Sequence, residues 1–210
     1  MKFLQNIILI FSVSLSFSIS AQRIVSKRLS FEEVLMNEQA LKSENITEDE
    51  DLNGEMIIYS KGDVNYPYGA SFHAPIEFKR SISDFHIKPQ TSYYFDSQKK
   101  KLLFFVMNWN VYNTFNIFSK SYLSDSHKAL EEENGKKPLY KSFYIKLNKA
   151  VAVIFGEPTK RSKVKDWEVY NSDGWRYEWI TETYKVTTEL RMPKDGYIDF
   201  IYINYTIAWK

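Results

Sequence analysis

The sequence holds few side chains suited to acid–base catalysis or metal binding. It has three histidines, His73, His86 and His127, and no cysteine among its 210 residues. No two histidines have the spacing of a zinc motif, and no thiolate is present to complete one. Asp84 and His86 share one face if their segment is a strand, as an aspartate-oriented histidine base would require. We favour two polar residues on a solvated edge strand, because no nucleophile motif such as G-x-S-x-G accompanies them.

The sequence also lacks the motifs of nucleotide-dependent and cofactor-dependent catalysis. The chain has neither a Walker loop nor a dinucleotide fingerprint, and its seven glycines are few for a cofactor loop. Paired carboxylates for glycoside hydrolysis leave no spacing rule, so the acidic residues of the C-terminal third stay open as candidates. These are Glu178, Glu182, Glu189 and Asp199. We expect them to make an outer sheet face soluble, in cross-strand pairs with Arg176, Lys185 and Arg191. We predict no catalytic residue, no metal site and no cofactor.

The best candidate for a ligand-binding surface is aromatic. Trp175, Tyr177 and Trp179 alternate and therefore share one face of a strand. Such a row can stack on sugar rings or accept apolar side chains of a partner. A carbohydrate site requires at least two of the three rings to be exposed and coplanar. The interpretation that we favour is that the row faces a helix and belongs to the core.

A second candidate surface is basic. Lys160, Arg161, Lys163 and Lys165 lie in a segment, residues 159–165, that we interpret as a loop. Clustered lysines and arginines can meet an anionic glycan or a lipid head group. A solvated loop without a ligand is the more ordinary interpretation.

An amphipathic helix between Pro138 and Pro158 is the clearest element of the frame. Apolar residues recur every three or four positions and predict a buried stripe. The stripe is Leu139, Phe143, Leu147, Ala150, Val151 and Ile154, widened by Tyr144, Ile145, Val153 and Phe155. Pro138 suits the first helical turn, and Gly156 suits a left-handed C-cap. A stripe this wide indicates a sheet as the packing partner.

Two β-prone runs predict a hairpin near the middle of the chain. Residues 91–95 and 101–109 bracket a polar stretch. Residues 102–107 are apolar without a break, which predicts a central strand buried on both faces. Three shorter candidate strands precede the hairpin, at 55–60, 76–78 and 82–87. Residues 61–75 contain two glycines and two prolines, and we interpret them as a loop or an irregular edge.

The C-terminal part predicts a strand meander. Residues 175–192 are too long for one ordinary strand, so we break them at 181–183. Residues 197–209 are apolar on both faces in the middle, which predicts an interior strand. The remaining local predictions are a weak helix at 125–133, a strand at 167–170, and turns at 171–174 and 193–196.

The order of elements predicts an α+β fold. Ser30 and Glu33 have capping-box spacing, which predicts a short N-terminal helix over about 31–42. Strands, the main helix and then a meander indicate a mostly antiparallel sheet, with the helix over about 138–155 packed on one face.

The N-terminus has the features of an export signal. Lys2 precedes an apolar core broken by serines, and Ala21 ends a cleavage site of small residues. We expect residues 1–21 to be a signal peptide, 22–54 an N-terminal helix with a charged connector, and 55–210 one α+β domain. A retained anchor is the alternative, although the apolar core is short for a stable span.

Net charge and cysteine content limit the classes of binding partner and the compartment that we expect. A formal net charge of +2 gives no bulk electrostatic reason to expect nucleic acid. An export signal without cysteines fits a bacterial periplasm or exterior. We therefore favour an exported, non-catalytic binding module for a protein, a glycan or another envelope component, with no stable membrane span after leader cleavage. A carbohydrate-binding domain with an aromatic strand face and a small hydrolase without a sequence motif are the alternatives.

Overall fold

The structure, a computed structural model, describes residues 28–47, 56–61, 68–81, 85, 88–96, 98, 101–109, 135–164, 172–193 and 201–210. Several sequence predictions concern residues outside these ranges. They are the signal peptide at 1–21, most of the strand at 82–87, the helix at 125–133, the strand at 167–170 and most of the turn at 193–196. The side chains of Asp84, His86, His127, Lys165 and Asp199 also lie outside these ranges.

The described ranges contain two helices and ten strands. In chain order these are α1 (Phe31–Ala40), β1 (Glu44–Asn45), β2 (Met56–Lys61), β3 (Tyr68–His73), β4 (Ile76–Lys79), β5 (Gln90–Phe95), β6 (Leu102–Trp109), α2 (Lys137–Phe155), β7 (Lys160–Val164), β8 (Ser172–Ile180), β9 (Tyr184–Pro193) and β10 (Tyr202–Trp209). Eight strands form one sheet in the order β1-β4-β5-β6-β10-β9-β8-β7, and β2 pairs with β3 in a separate ribbon. Every pairing is antiparallel. The predicted α+β class is therefore confirmed.

The predicted hairpin and the predicted break in the meander are both present. β5 pairs with β6, and β8 pairs with β9 around the break at 181–183. Thr181 closes the second hairpin, because its hydroxyl oxygen accepts from the backbone N–H of Thr183 at 3.3 Å and of Tyr184 at 3.1 Å. Threonine stabilises turns in this way by replacing strand hydrogen bonds that the turn cannot make.

Three local predictions are wrong. Tyr68–His73 is a strand, although we interpreted residues 61–75 as a loop or irregular edge. The basic segment forms strand β7, an edge strand, where lysines discourage pairing with further chains. Residues 172–174 open β8 instead of forming a turn. Gly174 is needed there for space, because a Cβ at this position would lie 2.9 Å from the Val164 Cβ.

The main helix packs on the sheet as predicted, but it is rotated about its axis. Its buried residues are Tyr140, Tyr144, Leu147 and Val151, at spacings of four, three and four. Leu139, which the sequence placed in the buried stripe, is 48% exposed, and Val153 is 87% exposed. Tyr140 lies outside the predicted stripe, and its ring packs edge-on against that of Trp109 at 5.3 Å. Phe143, which belongs to the predicted stripe, is partly buried and contacts the same ring at 4.9 Å.

The central strands are buried on both faces. Phe105 of β6 belongs to the main core beneath the helices, with Ile203, Tyr205 and Ile207 of β10. The neighbouring Phe104 belongs to a second, smaller core on the opposite face. There Phe72 of the β2–β3 ribbon packs at 5.7 Å from the ring of Tyr94 and at 6.4 Å from that of Phe104. The prediction of an interior strand at 102–107 is confirmed.

Candidate functional site

The aromatic row of β8 lies on the sheet face that α2 covers. Trp179 is 3% exposed and belongs to the main core. Its indole Nε1 donates a hydrogen bond of 2.8 Å to the carbonyl oxygen of Gly156, the residue that ends α2. Gly156 has φ of +79°, which a residue with a Cβ adopts at a cost. Trp179 therefore anchors the C-terminal end of the helix.

Trp175 and Tyr177 are half-buried and also contact the helix. The hydroxyl of Tyr144 donates to the carbonyl oxygen of Trp175 at 3.0 Å, and its ring lies 6.1 Å from that of Tyr177. Burial raises the pKa of Tyr144 to about 12, so this phenol stays a donor at neutral pH. Lys141 lies over the Trp175 ring at 5.5 Å, and Arg161 lies over the Tyr177 ring at 5.8 Å. The row is therefore a packing surface with cations at its outer edge.

Strand pairing brings the two candidate surfaces of the sequence together. Lys163 lies opposite Trp175, and Arg161 lies opposite Tyr177. Because side chains alternate across a strand, these two cations emerge on the same face as the aromatic row. Sequence reasoning treated the two surfaces separately, since β7 and β8 are joined by residues whose length does not reveal the register.

We define the basic surface as Lys141, Lys146 and Lys149 of α2 with Arg161 and Lys163 of β7. All five residues are exposed to solvent. Residues 136–164 carry eight lysines and arginines and a single acidic residue, Glu157, which pairs with Arg161. The whole chain, by contrast, has 28 basic and 26 acidic residues. Positive charge is therefore segregated on this part of the molecule.

Four lysines of the basic surface have no carboxylate partner within the described ranges. They are Lys141, Lys146, Lys149 and Lys163. Lys146 and Lys149 are three residues apart on one helix, where like charges repel one another, and an anion in contact with them would relieve that repulsion. The surface is thus suited to an anionic ligand.

Large apolar side chains are exposed between these lysines. Leu139, Ile145 and Val153 all lie on the outward side of α2. At about 100° per residue, the three positions fall within an arc of roughly 120° that also contains Lys146 and Lys149. The outward side of the helix therefore combines positive charge with apolar surface.

Two of the four acidic residues, Glu178 and Glu189, form cross-strand ion pairs, but both are buried and do not lie on the solvated outer face that we expected. Glu178 accepts from Lys185 at 2.7 Å and lies 3.5 Å from Lys160. Glu189 pairs with Arg176 across strands, whereas Arg191 pairs with Glu189 within one strand. Burial opposes ionisation of Glu178, but the hydrogen bond and charge of Lys185 outweigh it and hold the pKa of this carboxyl below its ordinary value. Glu178 is therefore an ionised structural partner, which is the opposite of what a general acid needs.

A buried polar cluster beneath α1 was missed by sequence reasoning. Glu38 is fully buried and receives hydrogen bonds from Arg80, the Tyr93 hydroxyl and the Ser43 hydroxyl. Burial raises the pKa of Tyr93 and keeps its phenol neutral. One signal was available, because Glu38 follows Val34 by four residues and so lies on the buried stripe of α1. Arg80 and Tyr93 are too distant in sequence to be inferred as its partners.

No group of three or more potential metal ligands is found in the part of the chain that the structure describes. Within the same part, no helix has the length and hydropathy needed to cross a membrane.

The fold and the basic surface together define an α+β domain with a segregated cationic face. Neither a family model, nor a curated protein, nor a solved structure matches the chain.

Proposed function

We propose that the protein is an exported, non-catalytic binding module, periplasmic or extracellular, whose ligand is an anionic partner in the cell envelope. The observation that carries the proposal is the segregation of charge. Four exposed lysines lack carboxylate partners among the described residues, on a chain that is nearly neutral as a whole. Such a field attracts anions and speeds their association.

The state of the acidic residues supports a binding role. Glu38, Glu178 and Glu189 are each buried and each engaged with one or more cations. Their ion pairs hold the fold together, and among the described residues Glu157 is the one carboxylate paired with the basic surface. A ligand that supplies carboxylate, phosphate or sulfate groups would complete the pairing.

Carbohydrate binding is a second candidate, and one observation favours it. Trp175 and Tyr177 remain partly exposed beside Lys163 and Arg161. Because Lys141 and Arg161 already cover the two rings, stacking of a neutral sugar would have to displace them. An acidic sugar is the carbohydrate that this arrangement suits.

Export can be tested by sequencing the N-terminus of the protein recovered from cells that express the full chain. Cleavage after Ala21 makes Gln22 the first residue. A protein that retains Met1 would contradict the proposed signal peptide.

Binding can be tested with dextran sulfate as the anionic probe and neutral dextran as its control. The double variant Lys146→Glu/Lys149→Glu replaces two positive charges of the basic surface by two negative ones. The matched control Lys42→Glu/Lys101→Glu makes the same change in net charge at two exposed lysines outside that surface. We expect the first variant to weaken dextran sulfate binding about tenfold or more and the second to change it less than about twofold. Equal effects of the two variants, or no binding by the parent protein, would contradict the proposal.

A further inference from the structure

We propose that the basic surface docks the protein onto an anionic phospholipid bilayer, with the outward side of α2 lying flat on the membrane. This inference rests on the proposed function and names the anionic partner as the lipid surface itself. The contact is peripheral, because α2 is held to the sheet by Tyr140, Tyr144, Leu147 and Val151 and cannot leave it to span a bilayer.

The shape of the surface fits a flat partner. α2 has 19 residues, so it extends for roughly 28 Å along the sheet. Lys146 and Lys149 lie on its outward side, Lys141 lies at its flank over the Trp175 ring, and Lys163 extends the surface onto the neighbouring edge strand. A lysine near an anionic lipid surface contributes about 1 kcal/mol, which corresponds to about fivefold in affinity.

The apolar residues distinguish a membrane from a soluble polyanion. Val153 is 87% exposed, and Leu139 and Ile145 are each close to half exposed. A sulfated or phosphorylated polymer has no apolar region to accept them. At a bilayer surface, lysines reach the head groups while apolar side chains enter the boundary with the acyl chains.

Scattered exposed apolar residues are ordinary by themselves, and Met36 on α1 is one of them. On α2, such residues share one arc with Lys146 and Lys149, which have no carboxylate partner in the part of the chain that the structure describes. Charge complementarity and apolar insertion act on the same face, which is the combination that interfacial helices use.

The experiment is co-sedimentation with vesicles of phosphatidylcholine alone or mixed in equal parts with phosphatidylglycerol. We expect binding to the mixed vesicles and weak binding to the neutral ones. We also expect release at about 1 M salt, where the Debye screening length is about 3 Å. Lys146→Glu/Lys149→Glu should lower binding to the mixed vesicles about tenfold or more. Lys42→Glu/Lys101→Glu should lower it less than about twofold.

A second pair of measurements separates lipid from polymer. Ile145→Gln/Val153→Gln removes the apolar side chains and keeps good helix formers in α2. We expect it to weaken vesicle binding about fivefold and to leave dextran sulfate binding unchanged. Every variant is compared in the same N-terminal form and with the same thermal melt as the parent, so that leader binding and misfolding cannot imitate the result.

The outcomes distinguish the two proposals. Dextran sulfate binding without vesicle binding would overturn membrane docking and leave an anion-binding module in place. If the parent protein binds neither dextran sulfate nor the mixed vesicles, both the anion-binding function and membrane docking are overturned. Vesicle binding that neither α2 variant weakens would show that another part of the protein meets the membrane, and would overturn docking through this surface.

Discussion

Glu38 of α1 and Arg80, which follows β4, form a buried ion pair across 42 residues of sequence. Arg80 donates to the carboxylate through both Nε and Nη2, and the hydroxyls of Tyr93 and Ser43 donate to the same group. A buried carboxylate is tolerated when its lone pairs are satisfied in this way. The cluster fastens the N-terminal helix to the sheet.

Arg80→Met should destabilise the protein strongly. It removes the cation and leaves Glu38 buried and uncompensated, so we expect a loss of about 3–5 kcal/mol in the free energy of unfolding. Urea denaturation measures this. Glu157→Gln is the control, because the exposed Glu157–Arg161 pair should contribute less than about 1 kcal/mol. The double variant Glu38→Leu/Arg80→Met should recover much of the loss. Equal effects of Arg80→Met and Glu157→Gln would contradict the role of the buried pair.

The same cluster predicts a contribution to acid sensitivity. Burial opposes ionisation of Glu38, but the charge of Arg80 and three hydrogen-bonding partners outweigh it and hold its pKa below the ordinary value of 4.5. The ionised group therefore stabilises the folded state above that value, and this contribution is lost as pH falls through the lowered pKa. Urea midpoints measured between neutral and acidic pH should fall less steeply in Glu38→Gln than in the parent. An identical slope would contradict the shifted pKa.

Two neighbouring residues test the rotation of α2. Tyr140 is 1% exposed and contacts Trp109, whereas Leu139 is 48% exposed. Tyr140→Ala should cost about 3–5 kcal/mol, because it leaves a cavity in the core. Leu139→Ala should change stability by less than about 0.5 kcal/mol, since it removes a largely solvated side chain. Thermal melts of both variants measure this difference. A larger loss of stability in Leu139→Ala than in Tyr140→Ala would favour the orientation that the apolar pattern predicted.

Gly174 tests the close approach of β7 to β8. An added Cβ would lie 2.9 Å from the Val164 Cβ and 3.1 Å from the Leu190 carbonyl oxygen. Gly174→Ala should therefore cost about 1–3 kcal/mol through overpacking. Adding Val164→Ala to this variant should recover part of the lost stability, because it removes the Cγ methyl groups beside Gly174. The Val164 Cβ remains, so we expect the recovery to be incomplete. If Gly174→Ala melts at the parent temperature, the two strands are farther apart than described.

Local signals in the sequence determined the limits of the main elements. Ser30 and Glu33 form the predicted capping box, Pro138 lies in the first turn of α2, and Gly156 ends that helix with positive φ. Caps and turns depend on residues a few positions apart, so they can be read from a short window. The uninterrupted apolar run at 102–107 likewise predicted a central strand.

Only the tertiary structure decided how these elements face one another. The apolar pattern of α2 predicted a buried stripe without Tyr140, whereas the structure buries Tyr140 against Trp109 and exposes Leu139. Strand β7 was hidden by its basic composition, because its β-structure comes from pairing with β8 and not from its own residues. That pairing places Lys163 opposite Trp175, and folding places Arg80 beside Glu38. Both relationships join distant parts of the chain, and cross-strand register and buried charge pairing are not encoded in any local window.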